Sequence, residues 1–568
     1  MPNGCDFMSQ IVSKDIFTPE DLNEEQKMLA QTVEKFMKEE VLAREQEIEE
    51  GNHEVVKDLL KKAGELGFFA IEVPQEYGGL GLDKISALVV NEMMMYNTSF
   101  AVSSEAHITI GSHPIIFFGN EAQKRKYLPD LAYAKKIAAY ALTEPQAGSD
   151  ALNAKTTATP LNGGEYFVLN GTKQFITNAG FADIFVVFAK VNGKDFTAFI
   201  VEREFGVKTG KEEKKMGQKG SSTRQLILED VKVPKENILG EIGKGHKVAL
   251  NTLNLGRMRL GGSAGGGGKI LTKIALDYAK DRKQFGKPII SFPLIKWKIA
   301  NMASKTFAIQ SSSYRITNLI DQKWLGEKVD EWQAFEEFAV EATILKVGGS
   351  EFLWHIVDEA VQIHGGYGYL REYKVENAYR DERVNRIYEG TNEINRLNIP
   401  EMILRRAMRG RIDFFGWVQR AQKNLDSPDE IKKQIAEYSA KEELFALEIA
   451  KALLLTESQK VFSKFGEEIQ NEQEILAAFS DILIGIFLGE SAIARATKHK
   501  DKPYGRYYEN MARFVVHTYW PKIVQSFEIM LLRAGLRLEL AEKLYRTLPR
   551  IDVVELSREI ADTTAEVL

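Results

Sequence analysis

The sequence has one cysteine, Cys5, in 568 residues. A single thiol can build neither a disulfide framework nor a thiolate zinc site within one chain. Its polar, near-terminal setting also argues against a nucleophilic role. The eight histidines include no HExxH pair. His107 and His113 have a poor helical spacing for shared ligation and read as packing or surface residues, so no metal is expected. No stretch of 18 uncharged apolar residues occurs, so no membrane span is expected. The first residues, MPNGCDFMSQIVSKDIF, lack a basic region followed by an apolar run, and they lack the Arg-rich, acidic-poor character of a transit peptide. A reducing cytoplasm is the expected location. Positive charge is not in excess. The net charge of −5 argues against non-specific nucleic-acid binding, which needs a basic surface to displace counterions.

Two nucleotide signatures are also missing. No GxGxxG follows a strand-like segment, which disfavours a Rossmann nicotinamide site. The run GGSAGGGG (261–268) is not a phosphate loop, because Gly268-Lys269 is followed by Ile270 where Ser or Thr is needed, and the segment before it reads as helix. Small residues there suit close helix–helix approach. Each glycine weakens an isolated helix by up to ~1 kcal/mol, so buried packing must support the segment.

What is present is an ordinary soluble balance, 44% apolar and 27% charged. The length suggests roughly three or four domains. After an N-terminal segment (1–19), residues 20–139 show apolar residues near i, i+3, i+4 and i+7, the mark of amphipathic helices. The texture changes near Tyr140. EYFVLNGTKQFITN, DIFVVFAKV, DFTAFIVE and TRQLILEDVKVP are rich in Val, Ile, Phe and Thr, with Asn-Gly turns between them. They predict an antiparallel β domain over 140–248. Helical periodicity returns over 249–410 and continues over 411–568. The fold class is therefore α+β multidomain: a helical bundle, a middle antiparallel β domain, a second helical bundle, and an extra C-terminal helical domain. Within 400–423, Arg405, Arg406, Arg409, Arg411 and Arg420 alternate with Met402, Ile403, Phe414, Phe415 and Trp417. Such interleaving suits a helix lying on an anionic membrane, but a connecting helix that buries its aromatics is the favoured reading.

Five segments carry candidate chemistry. LTEPQAGSD (142–150) offers the Thr143 and Ser149 hydroxyls and exposed amides, suited to the polar edge of a heterocycle; the same residue types form an ordinary turn. KQFITNAG (173–180) offers the aromatic face of Phe175 and the Thr177 hydroxyl, and an alternating strand with Phe175 in the core is the competing reading. DRKQFG (281–286) supplies Arg282, a permanent cation suited to a pyrophosphate or to a surface ion pair. QIHGGYGY (362–369) supplies Gln362 and the pair Gly365-Gly366, which permits close backbone approach to a cofactor or simply ends a helix. RIYEGTNEINR (386–396) centres on Glu389, a carboxylate that alone would be one of many.

Together and in this order, these segments resemble the acyl-CoA dehydrogenases, FAD enzymes that desaturate fatty acyl thioesters. The resemblance covers roughly residues 20–408. The remainder is similar to the extra C-terminal domain of the very-long-chain branch. It implies FAD-dependent α,β-dehydrogenation of fatty acyl-CoA to trans-2-enoyl-CoA in β-oxidation, with electrons passed to an electron-transfer flavoprotein. An acyl-CoA oxidase or a respiratory-complex assembly factor of the same family is the alternative. Glu389 is the implied base. A carboxylate of ordinary pKa, ~4.3, is a weak base for an α proton, and apolar enclosure would strengthen it. The implied enolate donors are the Glu389 backbone N–H and a ribityl hydroxyl of FAD. Leu142, Thr143, Gly148, Ser149, Phe175 and Thr177 are implied to contact the cofactor, with Phe175 where most relatives have Trp. Arg282, Phe285, Gln362, Gly365 and Gly366 are implied to serve FAD bound mainly by a partner subunit, so a homodimer is expected. Thr391 and Glu393 match further cofactor-contacting positions. Ser149, Asn254, Arg257 and Gly390 are implied substrate contacts; Arg257 stands where other branches place the base. Membrane-surface contact is known for some relatives with the extra domain, so peripheral contact of this chain at the inner membrane face is the secondary expectation.

Overall fold

The computed structural model describes residues 3–568. The chain forms two compact units. One comprises Asn23–Arg259 with Ile320–Glu336; the other comprises the N-terminal segment through Leu22, Leu260–Leu319 and Glu337–Leu568.

The first unit begins with short helices between Glu24–Phe36 and Glu121–Ala132. Their starts are written in asparagines. Asn23 accepts from the Gln26 N–H while the Gln26 side chain returns to the Asn23 N–H, a reciprocal cap that satisfies two otherwise orphan donors. Asn120 and Gln123 repeat it. Both histidines are fully buried. His107 Nε2 donates to the Leu131 carbonyl at 2.9 Å, and Nδ1 accepts from the Ala138 N–H at 3.0 Å. This neutral ring ties the helical layer to the first strand. His113 Nε2 faces Glu72 at 3.6 Å and Glu331 at 3.9 Å. These three could group around a cation, but Lys84 and Arg259 already neutralise the two carboxylates. The cluster is an internal ion network.

The sheet has eight strands: β1 (Ala138–Ala141), β2 (Thr157–Leu161), β3 (Tyr166–Thr177), β4 (Ile184–Val191), β5 (Asp195–Glu202), β6 (Lys208–Glu212), β7 (Thr223–Pro234) and β8 (Ile238–Leu239). Their order is β6-β7-β3-β2-β4-β5-β8, with β1 beside β4. Most neighbours are antiparallel, as the short turns require. The sheet is nonetheless mixed, because β4 runs parallel to both β1 and β2. The chain reverses twice between β2 and β4, through β3, and so returns in the original direction. β4 is buried along almost its whole length, which explains why IFVVFAKV is a continuous apolar run rather than an alternating one.

The second unit is helical. GGSAGGGG lies inside the helix Gly245–Asp281, where a Cβ on Gly261 would sit 2.4 Å from Leu345 Cγ and one on Gly268 2.7 Å from Thr306 Oγ1. The run permits close helix contact, as its composition suggested. The helix Gln473–Lys498 is long and apolar enough to cross a membrane, but 89% of its most apolar stretch is buried inside the fold. It is a core helix. Ser480 Oγ donates to the Arg396 carbonyl, and Arg396 pairs with Asp481 at 2.8 Å. The expected boundary at 410/411 is therefore no break in the packing: one apolar core runs from Cys5 to Ala561.

Cys5 is not at the surface, despite its polar, near-terminal stretch of sequence. It is fully buried, its N–H donates to Glu341, and Arg406 Nη1 lies 3.4 Å from its sulfur. Burial pushes the thiol well above its ordinary range. The apolar residues Phe7, Met8, Val12 and Ile16 follow it into the core. Arg406 is thus unavailable to a surface, and Trp417 is buried as well, so the basic and aromatic stripe of 400–423 is split between interior and exterior.

His107 gives an acid-stability prediction. Burial, against a smaller opposing effect of its bond to Leu131, lowers its pKa from 6.5 to about 4. Between those values the unfolded chain binds the extra proton, so stability falls as pH falls from 6.5 to 4. The loss approaches roughly 3 kcal/mol by the low end of that window. Urea unfolding at graded pH should show this slope, and His107→Gln should flatten it by about one proton.

Candidate active site

Glu389 sits where the 3₁₀ turn Arg383–Arg386 gives way to the helix Asn392–Met408. Its backbone is left-handed, with φ of 58°, and Gly390 follows at 80°. Two such residues in succession fold the chain sharply back, at a cost of order 1–3 kcal/mol for the non-glycine. The surroundings hold this turn. Lys346 Nζ, fully buried, donates to the Gly390 carbonyl at 2.8 Å and to Asn392 Oδ1 at 2.7 Å. Asn395 Nδ2 donates to the Gly390 carbonyl at 2.8 Å and the Glu389 carbonyl at 3.3 Å. A Cβ on Gly390 would press on Asn395 at 3.3 Å, so glycine is needed there for both conformation and space. Glu389 is half-buried, with Oε2 shielded from solvent. Thr391 caps the following helix, its hydroxyl accepting from the Ile394 N–H at 3.2 Å. Glu393 is exposed in the first turn of that helix, and its own backbone N–H holds its carboxyl below the usual range. Sequence reasoning singled out Glu389 and Gly390 but not Lys346 and Asn395, which hold their turn. Lys346 sits in EATILKVGG, where its charge is the only sign that something must pair with it.

A second group lies on the same unit. Arg282 follows the helix Gly245–Asp281 and opens a hairpin pairing Lys283–Gln284 with Lys287–Pro288. The hairpin tip is Phe285-Gly286, both at positive φ, as a two-residue turn of this hand requires. The ring of Phe285 is 92% exposed. Arg282 lines a cavity of about 430 Å³ together with Gly365, Gly366, Tyr278, His364 and Tyr367. Its guanidinium is 5.4 Å from the Tyr367 ring. Tyr278 stacks on His364 with centroids 4.1 Å apart and donates to its carbonyl. A Cβ on Gly365 or Gly366 would meet nothing within 4 Å, so these glycines leave the wall open. Gln362 and Phe285 do not line this cavity. Tyr278 and Tyr367 were missed; the aromatic residues of QIHGGYGY were the available signal.

On the other unit, the 142–149 loop leaves β1. Leu142 is buried, Thr143 half-buried, and Gly148 and Ser149 exposed. The loop is organised by Glu144, which sequence reasoning passed over. Its buried carboxylate accepts from the Lys155 and Thr156 N–H groups, the Thr156 hydroxyl and Lys173 Nζ, the last at 2.8 Å. Burial opposes ionisation of Glu144, but the Lys173 ammonium outweighs it and holds the carboxyl below its usual range. Burial in turn pulls Lys173 down to about 8. The Thr143 carbonyl accepts from the Gln174 N–H at 2.8 Å, which ties the loop to β3. Beside that tie, the pairing of β3 with β7 slips between Lys173 and Ile176, and Phe175 adopts φ of 59°. This bulge re-aims the side chain. Phe175 is 62% exposed, so it is not a core residue of an alternating strand. Thr177 is half-buried at the end of β3. Further on, Asn254 and Arg257 are buried on one helix face, with Arg257 Nη1 3.5 Å from Asn254 Oδ1.

The residues of these loops suit a flavin nucleotide. An exposed aromatic stands beside a hydroxyl-bearing loop with open backbone. Separately, an unblocked glycine wall stands beside a guanidinium.

The Glu389 turn makes a direct prediction. Lys346→Met removes two buried hydrogen bonds and should lower stability by about 1–3 kcal/mol. Amide exchange at Glu389–Thr391 should accelerate in the variant, and an unchanged exchange pattern would show that Lys346 does not hold the turn.

Comparison with known proteins completes the picture. Family models described as acyl-CoA dehydrogenase N-terminal, middle and C-terminal domains match residues 23–135, 139–231 and 243–404. A further acyl-CoA dehydrogenase C-terminal domain model matches 448–535. A probable acyl-CoA dehydrogenase of Bacillus subtilis is 48% identical over 506 residues, which is 87% of this chain and 84% of the relative. The mitochondrial very long-chain specific acyl-CoA dehydrogenase of Rattus norvegicus is 40% identical over 69% of this chain and 60% of its own length. The crystal structure of an acyl-CoA dehydrogenase from Bacillus anthracis, complexed with FAD, superposes with a TM-score of 0.94 at 42% identity, covering 100% of this chain and 99% of that one. Sequence motifs, fold and these likenesses agree: the chain belongs to the acyl-CoA dehydrogenase family and is an oxidoreductase of that family.

Proposed function

We propose that the protein uses FAD to desaturate fatty acyl-CoA between Cα and Cβ, giving the trans-2-enoyl-CoA, and that the electrons pass to an electron-transfer flavoprotein. The observation that carries this reading is Glu389, a half-buried carboxylate on a left-handed turn fixed by Lys346 and Asn395. A base that must meet a carbon acid needs a fixed position more than it needs exposure.

FAD, when bound, supplies the hydride acceptor that no side chain provides. Thr143, Ser149, Phe175 and Thr177 are the residues to hold its ring. Arg282, Gly365 and Gly366 are suited to a phosphate-bearing portion, Arg282 by its permanent charge and the glycines by leaving their wall open. Gln362 and Phe285 belong to the same proposed contact, which the resemblance assigns to the cofactor of a second copy. The exposed rings of Phe285 and Tyr369, the latter 85% exposed, support a homodimer that covers them. Asn254 and Arg257 are proposed to hold the thioester end of the substrate, with Gly390 leaving room beside the base. Glu389 then takes the α proton, and its carboxylate becomes a neutral acid for the rest of the turnover.

Anaerobic mixing of the FAD-loaded protein with saturated acyl-CoAs should bleach the flavin absorbance. Glu389→Gln keeps shape and removes the base. It should retain FAD and bind acyl-CoA, but bleach more slowly by ~10²–10⁴-fold or more. Wild-type bleaching by this variant would place the base elsewhere. Arg282→Ala should lower the FAD retained per chain on gel filtration, and a monomer that retains FAD normally would contradict the shared site.

A further inference from the structure

An unbroken run of hydrogen bonds and ion pairs links the turn that carries Glu389 to helices far beyond it in sequence. Glu389, Lys346 and Arg396 lie in the stretch 243–404, whereas Asp481 and Lys522 lie in 448–535, and each stretch matches its own domain model. Asp481 belongs to the helix Gln473–Lys498 and Lys522 to Gly505–Ala534. All of these residues are in the helical unit.

The run starts where Lys346 donates to the Gly390 carbonyl and to Asn392 Oδ1. Asn392 is buried, and its Nδ2 donates to Ser350 Oγ at 3.1 Å and to Glu351 Oε1 at 3.2 Å. Arg396 grips Glu351 with two nitrogens, Nη1 to Oε1 at 2.7 Å and Nη2 to Oε2 at 2.9 Å. Its Nε donates to Asp481 Oδ1 at 2.8 Å. Lys522 closes the run, 3.0 Å from Asp481 and 3.6 Å from Glu351. Ser480, next to Asp481, donates to the Arg396 carbonyl and so fixes that residue from the same helix. Burial opposes ionisation of Glu351, but Arg396 and Lys522 outweigh it and hold the carboxyl below its usual range.

Asn392 makes this run directional. An amide presents an acceptor on one side and two donors on the other, and an ammonium can only donate. Lys346 therefore meets Oδ1 only while Nδ2 has an acceptor on its far side. The Ser350 hydroxyl can serve in either sense, whereas an ionised Glu351 only accepts. Glu351 thus sets the amide, and the amide sets Lys346 against the Gly390 carbonyl. Asp481 protects this arrangement by drawing Lys522, and one edge of Arg396, away from Glu351. Without Asp481, both cations converge on Glu351 and compete with the Asn392 amide for its oxygens. We propose that Asp481, together with Lys522, is a positioning residue for Glu389, so that the C-terminal helices set the geometry of the base. The inference rests on Glu389 being that base.

The test uses the FAD-loaded full chain in anaerobic stopped flow with a saturated acyl-CoA, alongside amide exchange at Glu389–Thr391. Asp481→Asn should lower the limiting rate of flavin reduction about tenfold and change the half-saturating acyl-CoA concentration by less than about twofold. Exchange at Glu389–Thr391 should accelerate. Lys522→Met alone should be milder. The double variant Asp481→Asn/Lys522→Met should reduce its flavin faster than Asp481→Asn, because the cation that crowds Glu351 is gone; independent structural losses would instead add. Glu443→Gln breaks a pair with Arg513 and His517 elsewhere in the C-terminal helices. It should lower the melting temperature and leave the limiting rate unchanged. The proposal is overturned by wild-type reduction in Asp481→Asn, by a double variant no faster than Asp481→Asn, or by equal slowing in Glu443→Gln. A wild type that does not bleach contradicts the dehydrogenase reading instead. Exchange then decides the link to the turn: acceleration in Asp481→Asn supports it, and an unchanged pattern overturns it.

Discussion

The helix Ala339–His364 is buried around nearly its whole circumference, and the rest of the helical unit is arranged to meet that demand. A helix apolar on all sides must be covered on all sides. Gly349 admits Gly261 and Ala264 to van der Waals distance on one flank, and Gly348 admits Leu488 and Ile484 on another. Two of its polar residues take fixed partners, Lys346 sealed from bulk water and Glu351 partly exposed. Lys346 takes the Gly390 carbonyl and Asn392, while Glu351 takes Arg396. The turn that carries Glu389, the proposed base, is thus held by the partners of a buried cation. The same helix ends at His364, where Gly365 turns the chain into the open wall beside Arg282.

The β-containing unit solves a different problem by similar means. A loop that must present hydroxyls and bare backbone outward cannot also supply its own core. Glu144 does this from beneath, gathering two backbone N–H groups, a hydroxyl and the Lys173 ammonium. Lys173 comes from β3, immediately before the slip that turns Phe175 outward. A buried ion pair is weak evidence for stability, since desolvation offsets much of its attraction. Here its value is geometric, because it fixes a loop and a bulge against each other.

Much of this was legible in the chain. Helical periodicity, the Val- and Phe-rich strands and the packing role of GGSAGGGG follow from spacing and side-chain size, which are local properties. Glu389 was legible through its motif. What was not legible depends on distant contacts or on broken regularity. Phe175 reads as a core position if β3 alternates without interruption, and nothing in KQFITNAG announces the slip. Lys346 looks like any helical lysine until Gly390 and Asn392, more than forty residues on, are folded beside it. Cys5 and Arg406 each look like surface residues, and burial comes only from their meeting across 401 positions. The parallel pairings of β4 likewise depend on topology rather than on strand composition.

The placement of the first residues has a consequence for synthesis. Glu20 pairs with Arg495, 475 positions later, and Phe7 stacks edge-on against Phe487. At translation rates of about 5–20 residues per second, the leading segment emerges on the order of a minute before its partners exist. During that interval it is an unpaired apolar strand of chain with an accessible thiol, and folding of the helical unit must await the last helices. The chain closes a very long loop at the end, so its final step carries high contact order. The sole cysteine therefore passes from reactive to sealed as that loop closes, and its chemical accessibility reports completion of the fold.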